Sequence, residues 1–203
     1  MTADDYAALA LAMGGVAKVR ARARSWNLIE LTVAPAGATC GPAPEALRLR
    51  ILEYFEDKRM AGVFVRVVDP VCIPVDAIID VRYDPRFEAA RVRQAVATAI
   101  EGHFDYAAVD FGEVFHLSDL YVLVEAVPGV GSAVIRRFRR RDRAPSDVDR
   151  ALREAGLPSA AALPATLRAL LTEREAVATR IEMGASEIAT LGTLELTLSV
   201  GAS

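Results

Sequence analysis

The fold turns on one stretch, Cys72-Ile73-Pro74-Val75-Asp76-Ala77-Ile78-Ile79-Asp80-Val81-Arg82-Tyr83-Asp84. Side chains alternate across an extended chain, so Ile73, Val75, Ala77, Ile79, Val81 and Tyr83 share one face. Pro74, Asp76, Ile78, Asp80, Arg82 and Asp84 share the other. Sustained alternation of this kind predicts a half-buried strand in a sheet with one covered face. Two further stretches repeat the pattern. In 27–34, Ile29, Leu31 and Val33 oppose Leu28, Glu30 and Thr32; in 193–200, Leu194, Leu196, Leu198 and Val200 oppose Glu195, Thr197 and Ser199. The stretch 62–68, Gly-Val-Phe-Val-Arg-Val-Val, is apolar on both faces and predicts a central strand, which Asp69-Pro70 ends.

Helical spacing fills the intervals. Residues 44–59 place Leu47, Ile51, Tyr54 and Phe55 on one face. Residues 86–102 do so with Ala89, Val92, Val96, Ala99 and Ile100, and Gly102 offers a stop. A helix over 117–127 is predicted to open at Ser118 as N-cap and to turn Leu120, Val124 and Val127 inward. A helix over 2–13 opens at Thr2, with Asp4 and Asp5 in the first turn, where the helix dipole favours acids. The openings of the first and the last of these helices along the chain are alike: Thr2-Ala3-Asp4-Asp5-Tyr6 leads to Gly15-Val16, and Ser118-Asp119-Leu120-Tyr121 leads to Gly129-Val130. Two related α/β units in tandem are the simplest account.

Composition bounds the function classes. A chain of 203 residues, 53% hydrophobic and 25% charged, builds a globular core rather than a disordered coil. A net charge of −3 argues against a protein devoted to wrapping nucleic acid. No apolar run approaches the ~18 residues of a membrane span. Cys40 and Cys72 are too few for a disulfide scaffold or a zinc site, and a cytoplasmic chain is expected.

Catalytic chemistry finds little to work with. His116, Ser118 and Asp119 lie too close together at one helix start to form a hydrolytic triad. The acidic loop of Asp105, Asp110, Glu113 and Asp119 lacks the spacing of a calcium loop. Gly14-Gly15 and Gly129-Val130-Gly131 lead into strands, so neither is a nucleotide-binding glycine loop. No catalytic residue, metal ligand, cofactor or small-molecule substrate is assigned.

Basic residues are the candidates for a site. Lys18, Arg20, Arg22 and Arg24 alternate with small residues and form a cationic strip if 16–24 is a strand. A second run, Arg136, Arg137, Arg139, Arg140, Arg141 and Arg143, sits at the corresponding place in the second unit. Leu163, Leu167, Leu170, Val177 and Ile181 then follow heptad spacing, consistent either with a helix packed on its own domain or with a docking helix for another subunit. The strips fit an ion-paired surface, an acidic protein partner or, with few aromatics to stack on bases, a nucleic acid.

Several of these stretches resemble the C-terminal half of baseplate J-like proteins. They are Thr2–Ala10 followed by Gly15–Ala21, the helix 44–59, Val67–Asp76, Leu117–Tyr121 with Val127–Val130, and Glu187–Leu194. The likeness lies in their order and spacing over most of the chain, not in any one motif. It implies a structural wedge component of a contractile phage tail or related injection system. Such a component would pair as a dimer or heterodimer and assemble with other baseplate proteins in a ring around a central hub. It would be an assembled part of a particle and not an enzyme. Family members are usually longer than this chain, and 139–186 reads as an insertion on which the family is silent.

The sequence therefore predicts an α+β chain of two small sandwich units. The first, 1–71, has a possibly incomplete sheet; the second, 72–203, is ferredoxin-like with a helical insertion over about 139–186. A nucleic-acid module built on the arginine strips, or an enzyme with a pocket between the units, remain the alternatives.

Overall fold

The computed structural model describes residues 1–142, 152–158, 162–164, 166 and 177–201. It divides into two compact units. The first comprises Met1–Cys72 with two later segments, Val109–Glu113 and Met183–Ile188; the second comprises Ile73–Ala108, Val114–Glu182 and Ala189–Ser203. Both are mixtures of helix and strand, as the α+β reading expects.

In the first unit the order is α1 (Ala3–Leu11), β1 (Val16–Ser25), β2 (Leu28–Pro35), α2 (Glu45–Glu56) and β3 (Phe64–Val68). Helix α1 starts where the sequence put it. The Thr2 hydroxyl accepts from Asp5 N–H, and the Asp5 carboxylate accepts from Thr2 N–H at 2.6 Å, a reciprocal capping box. Gly15, at φ +91°, makes the turn into β1, a backbone conformation that favours glycine. Strands β1 and β2 form an antiparallel hairpin, and α2 carries the chain across to β3, which runs parallel to β2. Tyr6 and Ala10 of α1 and Leu47, Ile51 and Phe55 of α2 close over Leu31 and Val33, with Val19, Ala21, Ile29, Val65 and Val67 packed around them.

The strand order β1-β2-β3 corrects one expectation. The apolar stretch 62–68 is an edge strand with Phe64 exposed, and β2 is the central one. Central position explains why Glu30 and Thr32, on the face predicted to be open, are buried. The two later segments pair with each other, Gly112 N–H donating to Glu187 O and Met183 N–H to Glu113 O, and Val71 N–H donates to Ser186 O of the second one. Cys40 and Cys72, given no role by the sequence, are joined in a disulfide with Cα atoms 6.0 Å apart. It ties the loop before α2 to the start of the strand that follows β3, Val71–Tyr83.

The second unit runs β4 (Val71–Tyr83, entering from the first unit), α3 (Ala89–His103), β5 (Val114–His116), α4 (Leu117–Glu125), β6 (Val130–Arg140), β7 (Arg180–Glu182) and β8 (Glu187–Val200). Its main sheet has the order β6-β4-β8, and β5 pairs with β7 in a separate ribbon. The deciding alternation of β4 is realised: Ile73, Val75, Ala77, Ile79 and Val81 are all buried. Val92, Val96 and Ile100 of α3 and Leu120 and Val124 of α4 are buried as well. Gly129 repeats the role of Gly15, at φ +92° between α4 and β6. The N-cap of α4 is His116 rather than Ser118, which is the second residue of the helix, with its hydroxyl 3.4 Å from the Asp119 carboxylate. Of the insertion 139–186, residues 143–151, 159–161, 165 and 167–176 lie outside the described residues. Its end is not helical, however: Ile181 sits buried in β7 and Val177 makes an isolated parallel bridge to Phe138.

Candidate interaction surfaces

Strand β1 presents its cations as the alternation requires. The register places Arg22, Glu30 and Arg66 in one row across the three strands, and Arg20, Thr32 and Val68 in the next. Neighbours across a sheet on one face lie within side-chain reach. Glu30 is therefore the acid at the centre of a basic face. It accepts from Arg24 Nε at 2.9 Å and from Arg66, whose side chains are 48% and 59% exposed. Hydrogen bonds from Arg66 and then Arg24 hold the Glu30 carboxyl below its usual range, against the opposing pull of burial. Arg20 donates to Phe111 O at 3.2 Å. A shallow cavity of about 270 Å³ opens on this face, lined by Arg20, Arg22, Arg24, Glu30, Thr32 and Ser186 among others. Lys18 stands half-buried next to the bulge at the start of β1.

The arginines of β6 do not share a face. A bulge between Ile135 and Arg137 breaks the alternation. Arg136 is exposed and pairs with Asp80. Arg137 is half-buried. Arg140 turns inward: it donates to Glu182 O at 2.8 Å and grips Asp142 with two bonds of 2.9 Å. Arg139 is buried, with Nε and one terminal nitrogen lacking a hydrogen-bond acceptor. Arg141 is half-exposed and donates to Asp76 and to the Thr193 hydroxyl.

Asp76 organises this end of the second unit. Its carboxylate accepts from Arg141 and from Thr193 N–H at 2.8 Å. Burial pushes the carboxyl up, but Arg141, Thr193 N–H and the charge of Arg139 outweigh it and hold it below the usual range. A Cβ on Gly192 would collide with this carboxylate and come within 3.0 Å of Val75 O, so glycine is required for the approach.

The remaining candidates are dispersed. Leu167 and Leu170 lie outside the described residues, and Val177 is partly exposed beside Phe138. His103 packs edge-on against Phe104 and Phe115. Among the described residues no cluster of histidine, cysteine or carboxylate side chains is arranged to hold a metal. Among them, too, no helix is long and apolar enough to cross a membrane.

Sequence reasoning passed over Trp26. The single tryptophan of the chain sits at the β1–β2 turn and is 88% exposed. Phe64, paired in register with Leu28, is 57% exposed at the same end of the sheet. The signal was present in Ser25-Trp26-Asn27, a large ring where a tight turn ordinarily takes Asn, Asp or Gly.

Three comparisons bear on these surfaces. The family model of the baseplate J-like central domain matches residues 1–68, which is the body of the first unit. The match bears out the resemblance read in the sequence; the model that matches describes the family's central domain. Among solved structures, a chain of the anti-feeding prophage baseplate, determined by cryo-electron microscopy, has the same fold: the TM-score is 0.63 at 14% identity, over 96% of this chain. This chain spans 37% of the length of that one. No curated protein matches by sequence.

Proposed function

Starting from a chain whose residues 1–68 match a baseplate J-like central domain, we propose that this protein is a structural subunit of the baseplate of a contractile phage tail or phage-tail-like injection system. The observation that carries the reading is that family match over the first unit. The fold shared with a chain of the anti-feeding prophage baseplate, extending over nearly the whole molecule, supports it.

The finer reading is a wedge position. There the subunit would pair as a dimer or heterodimer, contact other baseplate proteins and help close a ring around the central hub. Ring assemblies rest on repeated subunit interfaces, and the exposed cationic face of the first sheet is a surface of the right kind for one. The role is mechanical rather than catalytic, with no cofactor or small-molecule substrate. In the cell the chain is made in the cytoplasm and carried into the particle. Nucleic-acid binding through the arginines is the weaker reading, because the chain carries a formal net charge of −3 and few aromatic residues stand among the arginines to stack on bases.

The test is quantitative mass spectrometry of sedimented, sheath-bearing particles. A small fixed copy number, far below that of the tube subunit, is expected. Absence from intact particles, with the chain abundant in the unsedimented fraction, overturns the proposal.

A further inference from the structure

We propose that the hairpin end of the first sheet docks a protein surface that presents an apolar pocket rimmed by carboxylates, with Trp26 as the anchor and Arg22, Arg24 and Arg66 as the charged collar. The inference deepens the baseplate reading by giving the chemistry of one neighbour, and it rests on that reading for its setting.

Trp26 does nothing visible for the fold. The turn is closed by its neighbours: the Ser25 hydroxyl donates to the Asn27 side-chain oxygen at 2.8 Å, and Phe64 N–H donates to Asn27 O at 2.7 Å. A polar residue at 26 would serve the turn equally well and would not leave the largest apolar side chain in water. Phe64 extends the apolar end onto the outer face of the sheet, in one row with Leu28. The next row is Arg22-Glu30-Arg66, with Arg24 beside it. An exposed tryptophan and aromatic neighbour framed by arginines is the composition of an interface hot spot.

Charge selects the partner. Arg20, Arg22, Arg24 and Arg66 surround Glu30 on this face, on a chain whose formal net charge is −3. The local excess is positive although the molecule is acidic, so the complementary surface is rich in carboxylates, which the planar guanidinium fork binds in two-pronged fashion. A second copy docking through the same face would set arginines against arginines, since a two-fold interface pairs a patch with itself. A nucleic acid would find two rings at one end rather than a run of stacking platforms.

Trp26 is also the only tryptophan, so its fluorescence reports on this surface alone. Two variants test the inference in the full chain, Trp26→Ala and Arg22→Glu/Arg24→Glu, each checked for native circular dichroism. With the wild type present in sedimented particles, both folded variants are expected to fall more than tenfold in incorporation. Incorporation at the wild-type level overturns the docking site and leaves the baseplate reading standing. If the wild type is itself missing from particles, the baseplate reading fails and the surface is judged by titration instead. There the probe is a random glutamate–alanine copolymer, with duplex DNA as the parallel arm. A blue shift of Trp26 emission with the copolymer, weakened more than tenfold in Arg22→Glu/Arg24→Glu, supports the site. No shift overturns it, as does tighter binding of the duplex or a wild-type chain whose Trp26 is already shielded in a self-associated dimer.

Discussion

Replacing Asp76 tests the account of the second unit most directly. The carboxylate is buried and has three tasks: it accepts Thr193 N–H, it accepts from Arg141, and its charge opposes the buried Arg139 guanidinium. Asp76→Ala leaves Thr193 N–H without an acceptor, which costs about 1–3 kcal/mol for a buried donor. The Arg141 pair adds only about 0–1 kcal/mol, because that side chain is 49% exposed and screened by water. Loss of the charge facing Arg139 raises the sum, since a buried cation deprived of its counter-charge is the costly half of a broken pair. The expected total is about 2–4 kcal/mol. Asp76→Asn keeps an acceptor for Thr193 N–H while removing the charge, so it should cost less than the alanine change.

The pH dependence carries a second check. The folded-state carboxyl is held below its unfolded value. The stabilisation is therefore fully present above the unfolded pKa of about 4 and is lost as the pH falls through the lower folded value. Urea unfolding followed by circular dichroism from neutral pH downwards should show this acid-side loss in the wild type and a weaker one in Asp76→Asn. A cost below about 1 kcal/mol for Asp76→Ala, or an acid limb unchanged by Asp76→Asn, would refute the assignment of Asp76 as the counter-charge of this cluster.

Other expectations follow from single features. Reducing the Cys40–Cys72 bond, which closes a loop of sequence separation 32, should destabilise the first unit by about 3–4 kcal/mol on the chain-entropy account; urea unfolding with and without reductant reads it. Gly129→Ala should cost more than Gly62→Ala: both have positive φ, worth about 1–2 kcal/mol to alanine, but only at Gly129 would a Cβ also press within 2.6 Å of Phe87 Cγ. Thermal melting of the two variants ranks them, and equal melting points would refute the steric part. Glu30→Gln should remove the charge that Arg24 and Arg66 share, and with it an acid-side loss of stability of the same sign as at Asp76, because Glu30 too is held below its usual range. A pH–stability profile unchanged by Glu30→Gln would refute that pairing.

What the sequence made legible was periodic and local. The alternation of 72–84 reported the covered face of β4, and capping chemistry at Thr2 placed the start of α1. What it hid was set by position in the sheet. Residues 62–68 are apolar on both faces, yet β3 lies at an edge, and the burial of Glu30 comes from β2 being central. Periodicity describes which way a side chain points and carries no information about which strands flank it. The arginine strips show the same division. In β1 the alternation held over Val19–Ala23, between register shifts at either end, and kept Arg20 and Arg22 on one face; in β6 a bulge in mid-strand displaced the register, so that Arg136 faces solvent while Arg139 and Arg140 are buried. The bulge has no signature in Ile135-Arg136-Arg137, and neither the pairing of Cys40 with Cys72 nor the recruitment of 109–113 and 183–188 into the first unit follows from spacing, because each is a long-range contact. Trp26 is the opposite case. Its signal was local and readable, a ring in a turn that chemistry disfavours. Where a sequence departs from its own local rules without a structural return, a functional or strained site is the expected reason.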